Sequence, residues 1–404
     1  MSYSRIFRFT GALALVLNLW TVVSHADDGH GLRYRYVALD QIALPTGFTS
    51  FSPSAIRDNG WVYGTLCDST CSTTQLAYVK DGSLTALGAI SPGIFAGPVN
   101  KRGTVGVEVL VDPVNFIVRA ALFRGAKVEL IPPQPGEVFA SVDGLNDHDT
   151  AVVSSFDASG NQTNVLYSEG KATPIDFGPS LTNPSPCFTF SGISRCINSR
   201  ELIEGIEGPG IFSGARGFRF DASNGGATIL NPYPADPTET LAWGQAINQR
   251  GDVLGYSFTI GVTPYHERIG VWESNGLFDT YFVESDVNSS KLLFNDDNLI
   301  VITLQNDGNP PPHNSYIVPR PDVRLNLANL VVNLPVGQEL SSIADLNNHG
   351  DMIGSTSTGA NFLLQRLADD DRQAYATPAV SSARHAVPQG VAIMRNRLQL
   401  RRLK

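Results

Sequence analysis

The sequence predicts an all-β protein, a seven-bladed β-propeller of four-stranded antiparallel blades. Three observations lead there. A turn motif recurs seven times at blade-sized intervals, a second pair of β-runs follows each full copy, and the last copy lacks a strand that the front of the chain can supply.

The motif is an apolar residue, usually Asn, two polar residues, usually Gly, then an alternating β-run. It reads IRDNGWVYG from Ile56, VNKRGTVG from Val99, LNDHDTAVV from Leu145, INSRELIEG from Ile197, INQRGDVLG from Ile247, FNDDNLIVI from Phe294 and LNNHGDMIG from Leu346. Its second positions are Arg57, Asn100, Asn146, Asn198, Asn248, Asn295 and Asn347, spaced 43, 46, 52, 50, 47 and 52 residues apart. Four strands and their turns need a period of this size. Asn, Asp and Gly tolerate left-handed backbone angles, so each motif reads as a tight hairpin turn. Gly64, Gly205, Gly255 and Gly354 end several of the runs, as expected where strands crowd near an axis.

A second pair of runs follows, as in QLAYVKDGSLTALG from Gln75 and RAALFRGAKVELI from Arg119. Each repeat is therefore strand A, motif turn, strand B, loop, strand C, turn, strand D. One such sheet cannot bury its faces, whereas seven around an axis can. The seventh repeat stops at a third strand. Residues Tyr34 to Leu44, YRYVALDQIAL, have the pattern of strand D and are expected to close the ring against Phe362 to Leu367. Closure removes two aggregation-prone edges. An open β-solenoid and a pair of β-sandwiches are the competing architectures.

The order YVALDQIALP, SAIRDNGWVYGT, QLAYVKDGSLTALG resembles the extracellular repeats of the HAF family. The resemblance spans Tyr34 to about Leu367 and is clearest in repeats one, five and seven. The His-Ala-Phe stretch that names the family is replaced here by Leu76-Ala77-Tyr78, Ala121-Leu122-Phe123 or Gly270-Val271-Trp272, and repeats three, four and six lack the turn glycine. The resemblance implies a propeller-like fold and export, and it transfers no catalytic residue.

Residues 1–26 read as a signal peptide, with Arg5 and Arg8, an apolar run from Gly11 to Val23, and the small-x-small site Ser24-His25-Ala26. A periplasmic or secreted location follows, and with it disulfides among Cys67, Cys71, Cys187 and Cys196. The local pairs Cys67–Cys71 and Cys187–Cys196 are favoured among three connectivities. The chain carries 29 basic and 38 acidic side chains. Nine of the basic ones, and none of the acids, lie in the first 26 residues and in Arg372–Lys404, so the body is net −18. Such a body argues against nucleic acid, which needs a basic footprint. The propeller is expected over 27–368. The basic tail, 369–404, is expected to be flexible and is the one segment suited to touching a membrane.

Strand order puts the A–B and C–D turns on one face and the B–C and D–A loops on the other. The second face has the long, irregular connections, both cysteine pairs, and the expected ligand site. Its densest polar cluster is Tyr265, His266, Glu267 and Arg268, joined by Tyr233, Asp236, Trp243, Asp307 and His313, a set able to stack and hydrogen-bond a sugar. No serine elbow, second zinc-site histidine or phosphate loop appears, so no catalytic residue, metal or cofactor is assigned. Acidic turns such as Asn295-Asp296-Asp297-Asn298 lack a calcium-loop register and read as turn chemistry. The expected function is a monomeric extracytoplasmic binding module for a protein or carbohydrate. Two alternatives stay open: a hydrolase or lyase using acids with His266 or His313, and a structural component of a surface assembly.

Overall fold

The computed structural model describes residues 31–368, apart from 90–94, 126, 189–194, 209–213, 260–265, 286–287 and 306–313. The expected signal peptide, 1–26, and the basic tail, 369–404, lie outside the described residues. The chain from the first strand onward builds seven antiparallel blades. Blade 7 begins with β1 (Tyr34–Ala38). Blade 1 holds β2 (Ser50–Ile56), β3 (Val62–Cys67), β4 (Thr74–Lys80) and β5 (Ser83–Ala89). Blade 2 holds β6 (Phe95–Val99), β7 (Val105–Asp112), β8 (Ile117–Arg124) and β9 (Lys127–Leu130), and blade 3 holds β10 (Glu137–Leu145), β11 (Ala151–Asp157), β12 (Gln162–Ser168) and β13 (Lys171–Pro174). Blade 4 holds β14 (Ser185–Pro186), β15 (Leu202–Glu207), β16 (Arg216–Asp221) and β17 (Gly226–Leu230). Blade 5 holds β18 (Leu241–Ile247), β19 (Val253–Phe258), β20 (His266–Trp272) and β21 (Phe278–Ser285). Blade 6 holds β22 (Asn288–Phe294), β23 (Ile300–Gln305), β24 (Asn314–Arg320) and β25 (Val323–Asn326). The ring ends in β26 (Leu340–Leu346), β27 (Met352–Thr356) and β28 (Asn361–Arg366).

The expected latch is present. Strand β1 pairs antiparallel with β28 from Tyr34↔Arg366 to Ala38↔Phe362, so blade 7 takes its outer strand from the front of the chain. Its exposed side is then blunted. The Asn333 side chain accepts from the Tyr36 N–H at 2.7 Å and donates to the Tyr36 carbonyl at 3.1 Å, occupying the ladder where another strand would pair.

The hydrophobic core is divided among the blade interfaces rather than held in one centre. Ala55, Tyr63 and Leu76 of blade 1 pack on Val99, Val107 and Phe123 of blade 2. Leu39, Phe51 and Val62 meet Ile353 and Leu363 across the blade 7–blade 1 junction. Equivalent clusters fill the other five junctions. Radial stacking of sheets that are apolar on both faces gives this pattern.

The motif asparagines act differently from expectation. The left-handed residue is the fourth of each turn: Gly60, Gly103, Asp149, Glu201, Gly251, Asn298 and Gly350. The asparagine instead caps the turn. Asn146 Oδ1 accepts from the His148 and Thr150 N–H groups, both at 2.9 Å, while its Nδ2 donates to the Asn198 carbonyl of the next blade at 3.1 Å. Asn100, Asn198, Asn295 and Asn347 repeat both halves of this arrangement. Asn248 caps its turn likewise but donates to the Asn298 side chain. A belt of side-chain bonds thus joins blade to blade, and only blade 1, with Arg57, lacks the donor.

Two repeats without the turn glycine use the substitute for the same purpose. Asp149 and Asn298 accept from Asn100 and Asn248 of the preceding blade, at 2.6 and 3.0 Å. Their side chains recover part of the roughly 1–2 kcal/mol that a left-handed non-glycine residue costs.

The strand-ending glycines also have a more local cause than convergence at the axis. Strand A carries a β-bulge in several blades, at Pro53/Ala55, Gly244/Ala246 and Ile343/Asp345 among others. The bulge pushes a carbonyl toward strand B. A Cβ on Gly255 would fall on the Trp243 carbonyl, and one on Gly354 on the Ser342 carbonyl.

Candidate functional site

Two places qualify: the predicted cluster on the loop face and the axial mouth on the turn face. The cluster draws on the loop before β18 and on β20. Arg268, third in β20, donates from Nε to Glu239 Oε1 at 2.8 Å and lies 3.9 Å from Asp236 Oδ2. Its guanidinium stacks 4.1 Å over the Tyr233 ring. Ser257 Oγ donates to Glu239 Oε2 and accepts from the Tyr233 N–H. Asp236 caps its own turn through the Thr238 N–H and hydroxyl. Tyr233, Asp236 and Arg268 are therefore together, organised by buried Glu239, which sequence reading missed.

The other expected members do not join them. Trp243 is a core residue in β18, its ring centroid 4.5 Å from that of Phe258. Glu267 is buried and points away from Arg268, since neighbours in a strand face opposite sides. His266 opens β20, while Tyr265, Asp307 and His313 lie outside the described residues. Blade 3 repeats the glutamate–serine pair, with its arginine drawn from strand C of blade 2 rather than from its own blade. Glu137, 18 residues before Ser155, accepts from its hydroxyl at 2.6 Å and from Arg119 at 3.0 Å. Such a repeat marks a device that fastens loops to blades, and the common spacing of 18 from Glu to Ser was a signal available in the sequence.

Both favoured disulfides form, Cys67–Cys71 and Cys187–Cys196. The first sits in a B–C loop as expected. The second does not lie in a loop of that face. The Cys187 N–H donates to the Glu204 carbonyl and the Glu204 N–H to the Cys196 carbonyl, so both cysteines belong to strand A of blade 4. The strand's bulge position is expanded here into an insertion, and the disulfide closes its base beside Gly144 of blade 3.

Arg195, the last residue of that insertion, lies by the axis. Its NH2 donates to the Leu346 carbonyl and approaches Asp345 Oδ1 at 3.5 Å, linking blade 4 to blade 7. Asp345 also accepts from the Ile56 N–H at 2.8 Å and the Leu346 N–H at 2.9 Å, and Arg57 NH1 lies 3.8 Å away. Lys291 of blade 6 donates to the adjacent Ala344 carbonyl at 2.7 Å. Burial pushes the pKa of both Arg57 and Lys291 down, and Asp345 opposes this in each case. Above this floor the residues that follow the asparagine position in each turn form a polar rim. Lys101 Nζ sits 3.4 Å from Asp58 and 3.3 Å from Asp147, and Asn348 Nδ2 donates to Asp58 and Asp296. Floor and rim enclose a cavity of about 70 Å³.

Neither a protein-family model nor a curated protein matches the chain. Solved structures do. The β-propeller domain of the Trilobed protease from Pyrococcus furiosus, described as having an open velcro topology, is 11% identical with a TM-score of 0.51, over 82% of this chain and 100% of that one. An acylaminoacyl peptidase in complex with Z-Gly-Gly-Phe-chloromethyl ketone is 12% identical with a TM-score of 0.51, and this chain covers 54% of its length. TolB from Acinetobacter baumannii is 12% identical with a TM-score of 0.40, over 70% of this chain and 64% of that one. These identities speak to fold alone. By its blades, its latch and its likeness to the two structures with a TM-score of 0.51, the chain folds as a β-propeller.

Proposed function

We propose that this protein is an extracytoplasmic interaction module that docks a protein partner on its loop face. The observation that carries the proposal is the tip of the β7–β8 hairpin. Asp112 locks the turn by accepting from the Val114 and Asn115 N–H groups at 2.9 and 3.1 Å. Val114 is 89% exposed and Phe116 71% exposed, and Phe116 is held at φ 54°. A bulky residue in the left-handed region is costly, and such strain clusters at functional positions. Val336, in another loop of the same face, is also fully exposed. Exposed aromatic and aliphatic anchors on rigid turns suit a protein interface.

A carbohydrate ligand, the other class the sequence admits, loses two of its stacking platforms. Trp243 is in the core and Tyr233 is covered by Arg268. Export rests on the leader-like residues 1–26 and agrees with two disulfides. The relationship to HAF-type repeats forms part of this reading and rests on the repeat residues quoted above.

The test pairs native-envelope crosslinking with a polysaccharide array, using wild type, Phe116→Asp and, on the outer strand of the same blade, Val128→Asp. A partner captured by wild type and Val128→Asp but lost in Phe116→Asp supports the proposal. Equal capture by all three, or retention on polysaccharide that Phe116→Asp leaves unchanged, overturns it.

A further inference from the structure

The repeat has one exception at its most regular position, and that exception lines the axial cavity. Six turns place an asparagine where blade 1 places Arg57. An asparagine there would complete the belt by donating toward Asn100, as Asn347 does toward the Arg57 carbonyl at 3.1 Å. Blade 1 forgoes that bond and puts a guanidinium at the axis, where the side chain is 10% exposed.

The floor it enters is unbalanced in charge. Arg57, Arg195 and Lys291 approach one carboxylate, Asp345, whose oxygens already accept two backbone N–H groups. Arg57 Nε is buried and has no hydrogen-bond partner among the described residues. Leaving a charged donor buried and unsatisfied is expensive, so an acceptor is wanted there.

The rim does not supply one. Asp58, Asp147 and Asp296 accept the N–H groups of Asn348, Lys101 and Gln249 through one oxygen each. Their second oxygens face Lys101 or Asn348. For the same reason the three carboxylates are a poor cation site, because Lys101 already stands between Asp58 and Asp147. With side chains 44, 26 and 23% exposed at Lys101, Asp58 and Asp147, the mouth is open to solvent.

Size narrows the ligand. A water needs about 10–15 Å³ of such space, so the 70 Å³ cavity has room for a few atoms. It falls well short of the several hundred Å³ of pockets that enclose a drug-sized molecule. A guanidinium presents parallel donors that match two oxygens of one group.

We propose that the axial cavity binds a small carboxylate or oxyanion, held by the guanidinium groups of Arg57 and Arg195. The site is separate from the loop-face interface, so either can fail without the other.

The experiment uses the full exported chain with its disulfides intact. Thermal midpoints and calorimetric titrations are recorded with formate, acetate and phosphate, against chloride at matched ionic strength. Wild type is expected to show a saturable rise in midpoint with at least one of the three beyond that with chloride. Arg57→Asn restores the repeat's own residue. It is expected to fold, to have an anion-free midpoint at or above that of wild type, and to bind at least about tenfold more weakly, a factor equal to about 1.4 kcal/mol. Should Arg57→Asn not fold, Arg195→Gln carries the same expectation. No response beyond chloride in wild type overturns the proposal, and so does an unaltered response in a folded variant. Responses to phosphate alone or to carboxylates alone both support it and identify which chemistry the cavity takes.

Discussion

Replacing Asn146 with alanine should lower stability by about 4–6 kcal/mol. The side chain is 3% exposed and makes three hydrogen bonds, two within its turn and one to blade 4. Each contributes about 1 kcal/mol net, and the Thr150 N–H, buried and deprived of its acceptor, adds about 1–3 kcal/mol. Asn146→Asp separates the two jobs. It keeps the acceptor that caps the turn and removes only the donor to the Asn198 carbonyl, so its loss should be about 1–2 kcal/mol before any charge repulsion. Urea unfolding followed by tryptophan fluorescence reads both, as a fall in midpoint at constant slope. A loss below about 1 kcal/mol in the alanine variant, or equal losses in the two, would refute the dual role assigned to these asparagines.

Glu239→Gln should destabilise by about 3–5 kcal/mol, because it leaves Arg268 buried without its closest carboxylate, whereas Asp236→Asn should cost under about 1 kcal/mol at its longer, more exposed contact. Chemical denaturation of the two variants distinguishes an Arg268 held by Glu239 from one held by the whole cluster. Truncating the chain before Thr46 removes β1 and bares the β28 edge, and should convert a monodisperse protein into one that aggregates on size-exclusion chromatography. Glu108 supplies a pH test. Burial, aided by Asp143, raises its carboxyl from 4.5 to about 7 in the native state. A raised acid binds its proton more tightly when folded, so its contribution is greatest below about pH 4.5 and is lost as pH rises through about 7. Wild type should therefore lose stability relative to Glu108→Gln between pH 5 and 8. A difference independent of pH would show that Glu108 does not titrate in that window.

Much of the fold was legible because the repeat is a physical unit. Period, turn residues and the incomplete last copy together fix the number of blades and the partner of β1. Recurrence marks the asparagines as structural, but their role is to cap the turn and bond the next blade rather than to take the left-handed position. Left-handed propensity explains Gly60 or Gly251 but not Asn146, whose bond to the next blade joins residues 52 positions apart. The site was less legible. His266 to Arg268 are contiguous in sequence, but a strand sends alternate side chains to opposite faces, so contiguity in β20 cannot make a cluster. Tyr233 and Arg268 meet only because a D–A loop runs beside strand C of the next blade. Glu239 and Asp345 look like solvated acids until the fold buries them. The Cys187–Cys196 pairing followed from short spacing, but spacing alone does not distinguish a loop from an insertion inside a strand.

The latch decides how the ring can be mounted. Tyr34 and Arg366 face each other at the start of β1 and the end of β28, so the described chain enters and leaves side by side on the turn face. A tether, resin or fused domain attached at either end holds the ring from behind and leaves Val114, Phe116 and Val336 projecting toward the surroundings. The same adjacency makes the protein a natural substrate for circular permutation, with a short linker between Arg33 and Leu367 and new ends opened in any C–D turn.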